Sequence, residues 1–154
     1  MRRIFIVLLS TLLLVGVIAC QKQVTKESNE NKETPSYVAY RFLEAWLQSD
    51  YKNEKKYLYD AESYELDSNA ERMDIDFSIK NIKQIKEYKD KENKVIFVWL
   101  QYYNPITSSD TTEVYATRKN QNGDYKVDTN IDFDFESVKQ QIEPKTVNPK
   151  SIGV

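Results

Sequence analysis

Lys94-Val95-Ile96-Phe97-Val98-Trp99-Leu100-Gln101-Tyr102-Tyr103 is the stretch on which the fold turns. It is β-branched and aromatic almost throughout and apolar on both faces, which predicts a central strand covered on each side. Val95, Phe97, Trp99, Gln101 and Tyr103 share one face, and Ile96, Val98, Leu100 and Tyr102 share the other. The period alone does not say which set meets a helix. Asp90-Lys91-Glu92-Asn93 reads as a turn before the strand, and Asn104-Pro105 ends it.

Downstream, residues 111–119 (TTEVYATRK) alternate as a second strand. Asn120-Gln121-Asn122-Gly123-Asp124 is a hairpin turn with Asn-Gly at its centre. Residues 125–130 read as a final short strand. Phe133, Phe135, Val138 and Ile142 suit either a C-terminal helix or an extended lid, and 144–154 reads as a loose, flexible tail. Upstream, Ile75, Phe77 and Ile79 alternate with Asp76 and Ser78, which predicts a strand. The spacing then slips to Ile82 and Ile85, so a bulge or a helical stretch fits there. Residues 62–74 are polar and carry no clear period.

Before them, Thr34-Pro35 offers an N-cap followed by proline at the first helical position. Val38, Ala39, Phe42, Leu43, Trp46 and Leu47 recur as adjacent pairs every four residues. That spacing predicts a helix over 35–49 with a broad apolar face. Ser49-Asp50 can end it and cap a second helix over 51–61. Two helices followed by antiparallel strands give an α+β domain over 35–143, with N-terminal helices packed on an antiparallel sheet.

The first residues follow another logic. Met1-Arg2-Arg3 is cationic, an apolar run follows, and Ala19 is a small residue at its exit, the plan of a secretory signal. The run is shorter than the roughly 20 apolar residues of a spanning helix. Val17-Ile18-Ala19-Cys20 resembles the lipobox of bacterial lipoproteins. That resemblance implies cleavage between Ala19 and Cys20 and diacylglycerol on the Cys20 thiol, making 1–19 a signal peptide. Residues 21–34 hold one aliphatic side chain, Val24, among charges and amides, so 20–34 reads as a lipidated cysteine on a disordered tether. Its reach is roughly 20 Å. The expected location is extracytoplasmic, lipid-anchored to the cell membrane. Gln21 lacks the aspartate that retains many Gram-negative lipoproteins at the inner membrane, so an outer-membrane place is allowed.

The helix end Phe42-Leu43-Glu44-Ala45-Trp46-Leu47-Gln48-Ser49-Asp50-Tyr51 is similar to the opening motif of small extracytoplasmic domains in the NTF2-like, or cystatin-like, superfamily. Asn122-Gly123-Asp124-Tyr125-Lys126-Val127 is similar to the end of their last hairpin. The two motifs bracket about 90 residues in the right order, and Ser49 stands where the family prefers glycine. Many such domains are bacterial lipoproteins of the DUF4878 or lumazine-binding-like type. The resemblance implies a curved sheet wrapping the long helix around a cone-shaped pocket, with Phe42, Trp46, Phe97, Trp99 and Tyr103 as its expected lining.

Chemistry is sparse. The chain has no histidine, one cysteine and three glycines. That removes histidine-dependent triads, most zinc sites and phosphate-cradling glycine loops. It also removes an intramolecular disulfide. Taking Arg2 and Arg3 from 22 basic residues leaves 20 against 24 acidic ones, a net charge of −4, against a nucleic-acid partner. An Asp/Tyr pocket of the isomerase kind would draw on Asp74, Asp76 and Tyr64, which read better as solvated loop and edge residues. Asp128, Asn130, Asp132 and Asp134 resemble a calcium loop but lack its glycine and glutamate, and a charge-protected edge strand fits better. No metal or cofactor is expected. Tyr37, Tyr40, Tyr57, Tyr59, Tyr102 and Tyr103 suit the rim of a small core or an amphipathic binding surface. The expectation is a non-enzymatic lipoprotein that binds a small ligand or an envelope protein. An accessory subunit of an envelope assembly and an Asp/Tyr pocket enzyme are the alternatives.

Overall fold

Thr34 starts the first helix as its sequence predicts: its Oγ1 accepts the backbone N–H of Tyr37 at 3.2 Å, and Pro35 takes the first helical position. A computed structural model describes residues 33–152 apart from 63. The signal and lipobox positions, Ala19 and Cys20 among them, lie outside the described residues. Helix α1 spans Pro35–Leu47 and buries Val38, Ala39 and Leu43 completely. It ends at Ser49, a non-glycine residue at φ +52°, beyond which the Asp50 N–H reaches back to the Ala45 carbonyl at 2.8 Å. This left-handed turn is the usual means of satisfying the last helical carbonyls.

Helix α2 is Tyr51–Tyr57, capped by Asp50, whose carboxylate accepts the Asn53 N–H at 3.1 Å. It is shorter than the 51–61 expected because tertiary pairing takes over. Leu58 bridges to Val127, and the Tyr59 N–H donates to the Val127 carbonyl at 2.7 Å.

The strand predicted at 75–79 is instead an extended coil that buries Phe77 and runs into a short 3-10 turn, Ile79–Asn81. The first strand, β1, follows at Ile82–Asp90, with a register shift between Ile82 and Gln84. Strands β2 (Val95–Asn104), β3 (Ser109–Lys119) and β4 (Tyr125–Val127) come next. Helix α3 (Phe135–Gln141) and strand β5 (Lys145–Val147) complete the order. All strand pairs are antiparallel, in the order β4-β3-β2-β1-β5. The architecture is α+β, helices packed on an antiparallel sheet.

Strand β2 is central and covered on both faces. Ile96, Val98, Leu100 and Tyr102 meet α1, where Leu43, Leu47 and Ile85 join one buried cluster. Phe97, with Tyr88, Val95 and Ala116, faces the other way, under Phe133, Phe135 and Val138. The segment 144–154, read as a tail, is a correction: β5 extends the sheet beside β1, and Ile152 is buried at 7% exposure in the α1-side cluster. Three residues are too short for a periodic signal, and the edge of β1 supplies the pairing.

Candidate functional site

The most distinctive surface lies where the β1–β2 turn meets the far end of β3. Asp90 shapes the turn, its Oδ1 accepting the Glu92 and Asn93 N–H groups and its Oδ2 accepting from Asn93 Nδ2 at 2.8 Å. Hydrogen bonds from Asn93 and then Glu92 hold the Asp90 carboxyl below its ordinary value. Lys94 closes the turn at φ +56°.

Across the sheet, Asn120 Oδ1 accepts the Asn122 and Asp124 N–H groups at 2.9 Å, and Gly123 takes φ +87°, the conformation an Asn-Gly hairpin needs. This hairpin returns β4 beside β3 and sets Tyr125 opposite Lys119. Arg118 lies over the Tyr59 ring at 3.7 Å from its centroid and is ion-paired with the buried Asp128. Lys119 lies over Tyr125 at 5.2 Å.

These elements enclose an open cleft of about 480 Å³ lined by five basic side chains (Lys89, Lys91, Lys94, Arg118 and Lys119), the single carboxylate of Asp90, Tyr59 and Tyr125. A second cavity of about 480 Å³ shares Lys89, Ile96 and Tyr125 with it and continues to Thr34 and Pro35, where α1 begins. Its walls are mixed in charge, with Glu87 and Glu143 beside Lys145. Glu87 is tied down by Ser36, whose Oγ donates to it at 2.6 Å.

A separate carboxylate lies on the α1-facing side of the sheet. Glu113 is opposite Leu100 in the register, and burial pushes its carboxyl above the ordinary value. It neighbours two phenols. Tyr102 is pushed up to about 12, first by burial and then by Glu113, and Tyr115 is raised strongly by the same two causes.

The expected pocket lining does not converge. Phe42 is buried against Tyr115 and Tyr64, with centroids at 5.4 and 6.0 Å. Trp46, on the last turn of α1, is 46% exposed. Phe97 and Trp99 point away from α1, Phe97 onto Phe133 at 4.8 Å, and Tyr103 is exposed on that same side. The strand period assigns Phe97, Trp99 and Tyr103 together but to the face the C-terminal segment covers.

Asp74 and Asp76 are exposed in the coil before the 3-10 turn, and Tyr64 packs on Phe42. The run from Asp128 to Asp134 is not an edge strand. Asp128 is buried in its Arg118 pair, Asp128 Oδ1 accepts the Asn130 N–H, and Asp134 caps α3 through the Glu136 N–H and Ser137 Oγ. Asp and Asn side chains bonding to nearby backbone groups favour turns and caps over a ladder. The six tyrosines singled out scatter. Tyr40, Tyr57 and Tyr102 are buried, Tyr103 is exposed, and Tyr59 alone reaches the cleft.

The cleft leaves no signal in the sequence because Lys119, Arg118 and Tyr59 lie far along the chain from Lys89, Lys91 and Lys94, and only the fold brings them together. Among the described residues no group of three or more His, Cys, Asp or Glu side chains could hold a metal ion, and no helix is long and apolar enough to cross a membrane. In comparisons with protein-family models, curated proteins and solved structures, the chain matches none.

Proposed function

We propose that this protein is an extracytoplasmic lipoprotein, held to the membrane through a lipidated Cys20, whose domain is a non-enzymatic binding module of NTF2-like type. Its ligand is a small molecule or a short segment of an envelope protein, taken into the cleft between the β1–β2 turn and the end of β3. The observation that carries the reading is the cleft itself. Five basic side chains, two tyrosines and a fixed turn line an open cavity of ligand size on a chain whose net charge is −2. Tyr59 and Tyr125 offer broad faces with polar tips, and Ile96 adds an apolar surface.

A survey of backbone amide chemical shifts against a panel of anionic, cationic and neutral small solutes tests this. The reading expects concentration-dependent shifts gathered at 89–94 and 118–125. Shifts absent there for every solute, or gathered elsewhere, contradict it.

Glu113 favours a second reading, a pocket enzyme using a carboxyl as acid or base beside Tyr102 and Tyr115. A carboxyl whose pKa is raised by burial and that lies near phenols is of the kind that serves as an acid or base in proton transfer. Carbodiimide labelling of the native protein followed by peptide mapping decides it. Modification at Glu113 keeps the enzyme reading, and full protection at Glu113 while exposed carboxylates react ends it.

A further inference from the structure

The charge of the cleft is unbalanced in a way that specifies a ligand. Arg118 is already committed, paired to Asp128 and stacked on Tyr59. Asp90 is committed to its own turn through three hydrogen bonds. The remaining cations are Lys89, Lys91, Lys94 and Lys119, the last lying over the Tyr125 ring but without a carboxylate partner. Among the described residues none of these four forms an ion pair, and what sets them apart from the other unpaired lysines is that they line one cavity. Asp90 keeps its negative charge and offsets one of the four, so the cavity stays net positive, and an anion placed among the ammonium groups relieves the remaining repulsion.

The donor type narrows the anion. The planar fork of an arginine grips a carboxylate or a phosphate through two parallel bonds, and the one arginine here is occupied, which leaves recognition to point charges. Lysine ammoniums are compact charges that approach from several directions, which suits a phosphate group with oxygens on all sides. Tyr125 and Ile96, shared with the adjoining cavity, provide a surface for a carbon-bearing portion such as glycerol or a sugar.

Lys94 holds the left-handed conformation at φ +56°, which costs a non-glycine residue about 1 kcal/mol, although glycine would sit there unstrained.

We propose that the cleft is a binding site for phosphate esters, recognised by Lys89, Lys91, Lys94 and Lys119 with Tyr125 against the organic portion. This inference rests on the cleft being the ligand site of the preceding section. Thr34, the point where the polypeptide from Cys20 enters the domain, lines the adjoining cavity. The same chemistry is therefore offered by a phospholipid headgroup and by a free phosphate ester.

The test uses the full chain carrying Cys20→Ser, with sn-glycerol 3-phosphate as the soluble probe. Phosphatidylcholine vesicles with and without phosphatidylglycerol form the second arm. Saturable amide shifts at 89–94 and 118–125 are expected, weakening steeply as salt is added. Lys91→Gln should weaken affinity about fivefold, by the usual worth of one lysine near a phosphate surface. Lys94→Gly should weaken it similarly while leaving the melting temperature unchanged or slightly raised, since it removes the charge and relieves the backbone together. Lys80→Gln, outside the cleft, should change nothing.

A response to glycerol phosphate, without preference for phosphatidylglycerol vesicles, supports the chemistry with a free ester as the source. Preferential, cleft-dependent recruitment to phosphatidylglycerol supports it with the headgroup as the source. The proposal is overturned if neither arm responds, or if the lysine substitutions leave binding unchanged. If neutral solutes shift the cleft while phosphate esters do not, the phosphate inference fails and the cleft reading stands. If nothing shifts the cleft, both fail.

Discussion

Ser49 carries a small burden the sequence hints at. Ser49 ends α1 in the left-handed region. At φ +52° a side chain crowds the backbone, while glycine adopts that region freely. Replacing Ser49 with glycine should raise stability by about 0.5–1 kcal/mol in urea denaturation. A loss of stability would mean that the α1 terminus is set by something other than this turn. Glu113 makes a second prediction, one of pH. Burial raises its folded pKa above the ordinary 4.5, so its contribution to stability is full below about pH 4.5 and is lost as the pH rises through the folded value. Glu113→Gln removes that loss. Its stability relative to the parent chain should therefore improve as the pH rises from about 4.5 through the folded value, and then level off. A difference that stays constant across this range would show that the carboxyl titrates as if solvated. Burial raises Glu54 in the same direction, so the slope of the parent chain flattens but does not vanish in the variant.

Among the elements, β2 was legible because its residues are apolar on both faces, and α1 because its cap, proline and four-residue repeat agree. Strand β1 was not. Ile82, Ile85 and Tyr88 are spaced by three, which looks helical, yet Ile85 belongs to the cluster under α1 and Tyr88 to the cluster under α3. A strand buried on both faces and bulged at its start shows no period of two. Strand β5 had no signal at all, since Lys145, Thr146 and Val147 are ordered by the β1 edge at Glu87, Lys86 and Ile85. Its importance can be measured. Ile152→Ala should cost about 2–5 kcal/mol in urea denaturation, the usual range for emptying a buried isoleucine site. A chain ending at Pro144 should lose more, because it also leaves β1 an open edge. If both behave like the parent chain, the C-terminal segment is a tail after all. The cleft was illegible for a related reason: Lys89, Lys91 and Lys94 are near neighbours, but Arg118 and Lys119 reach them through the β2–β3 pairing and Tyr59 through its backbone bond to Val127.

Taken whole, the molecule joins two readings that rest on different parts of the chain. The α+β domain holds a cationic cleft, and the N-terminal sequence up to Cys20 resembles a lipoprotein signal. The proposed function needs both, for the tether sets which ligands the cleft meets. Mass spectrometry of the N-terminal peptide, released from protein extracted from membranes, tests that link most directly. The account predicts a peptide that begins at Cys20 and carries diacylglycerol on its sulfur. A peptide beginning at Met1, or an unmodified Cys20, would contradict it.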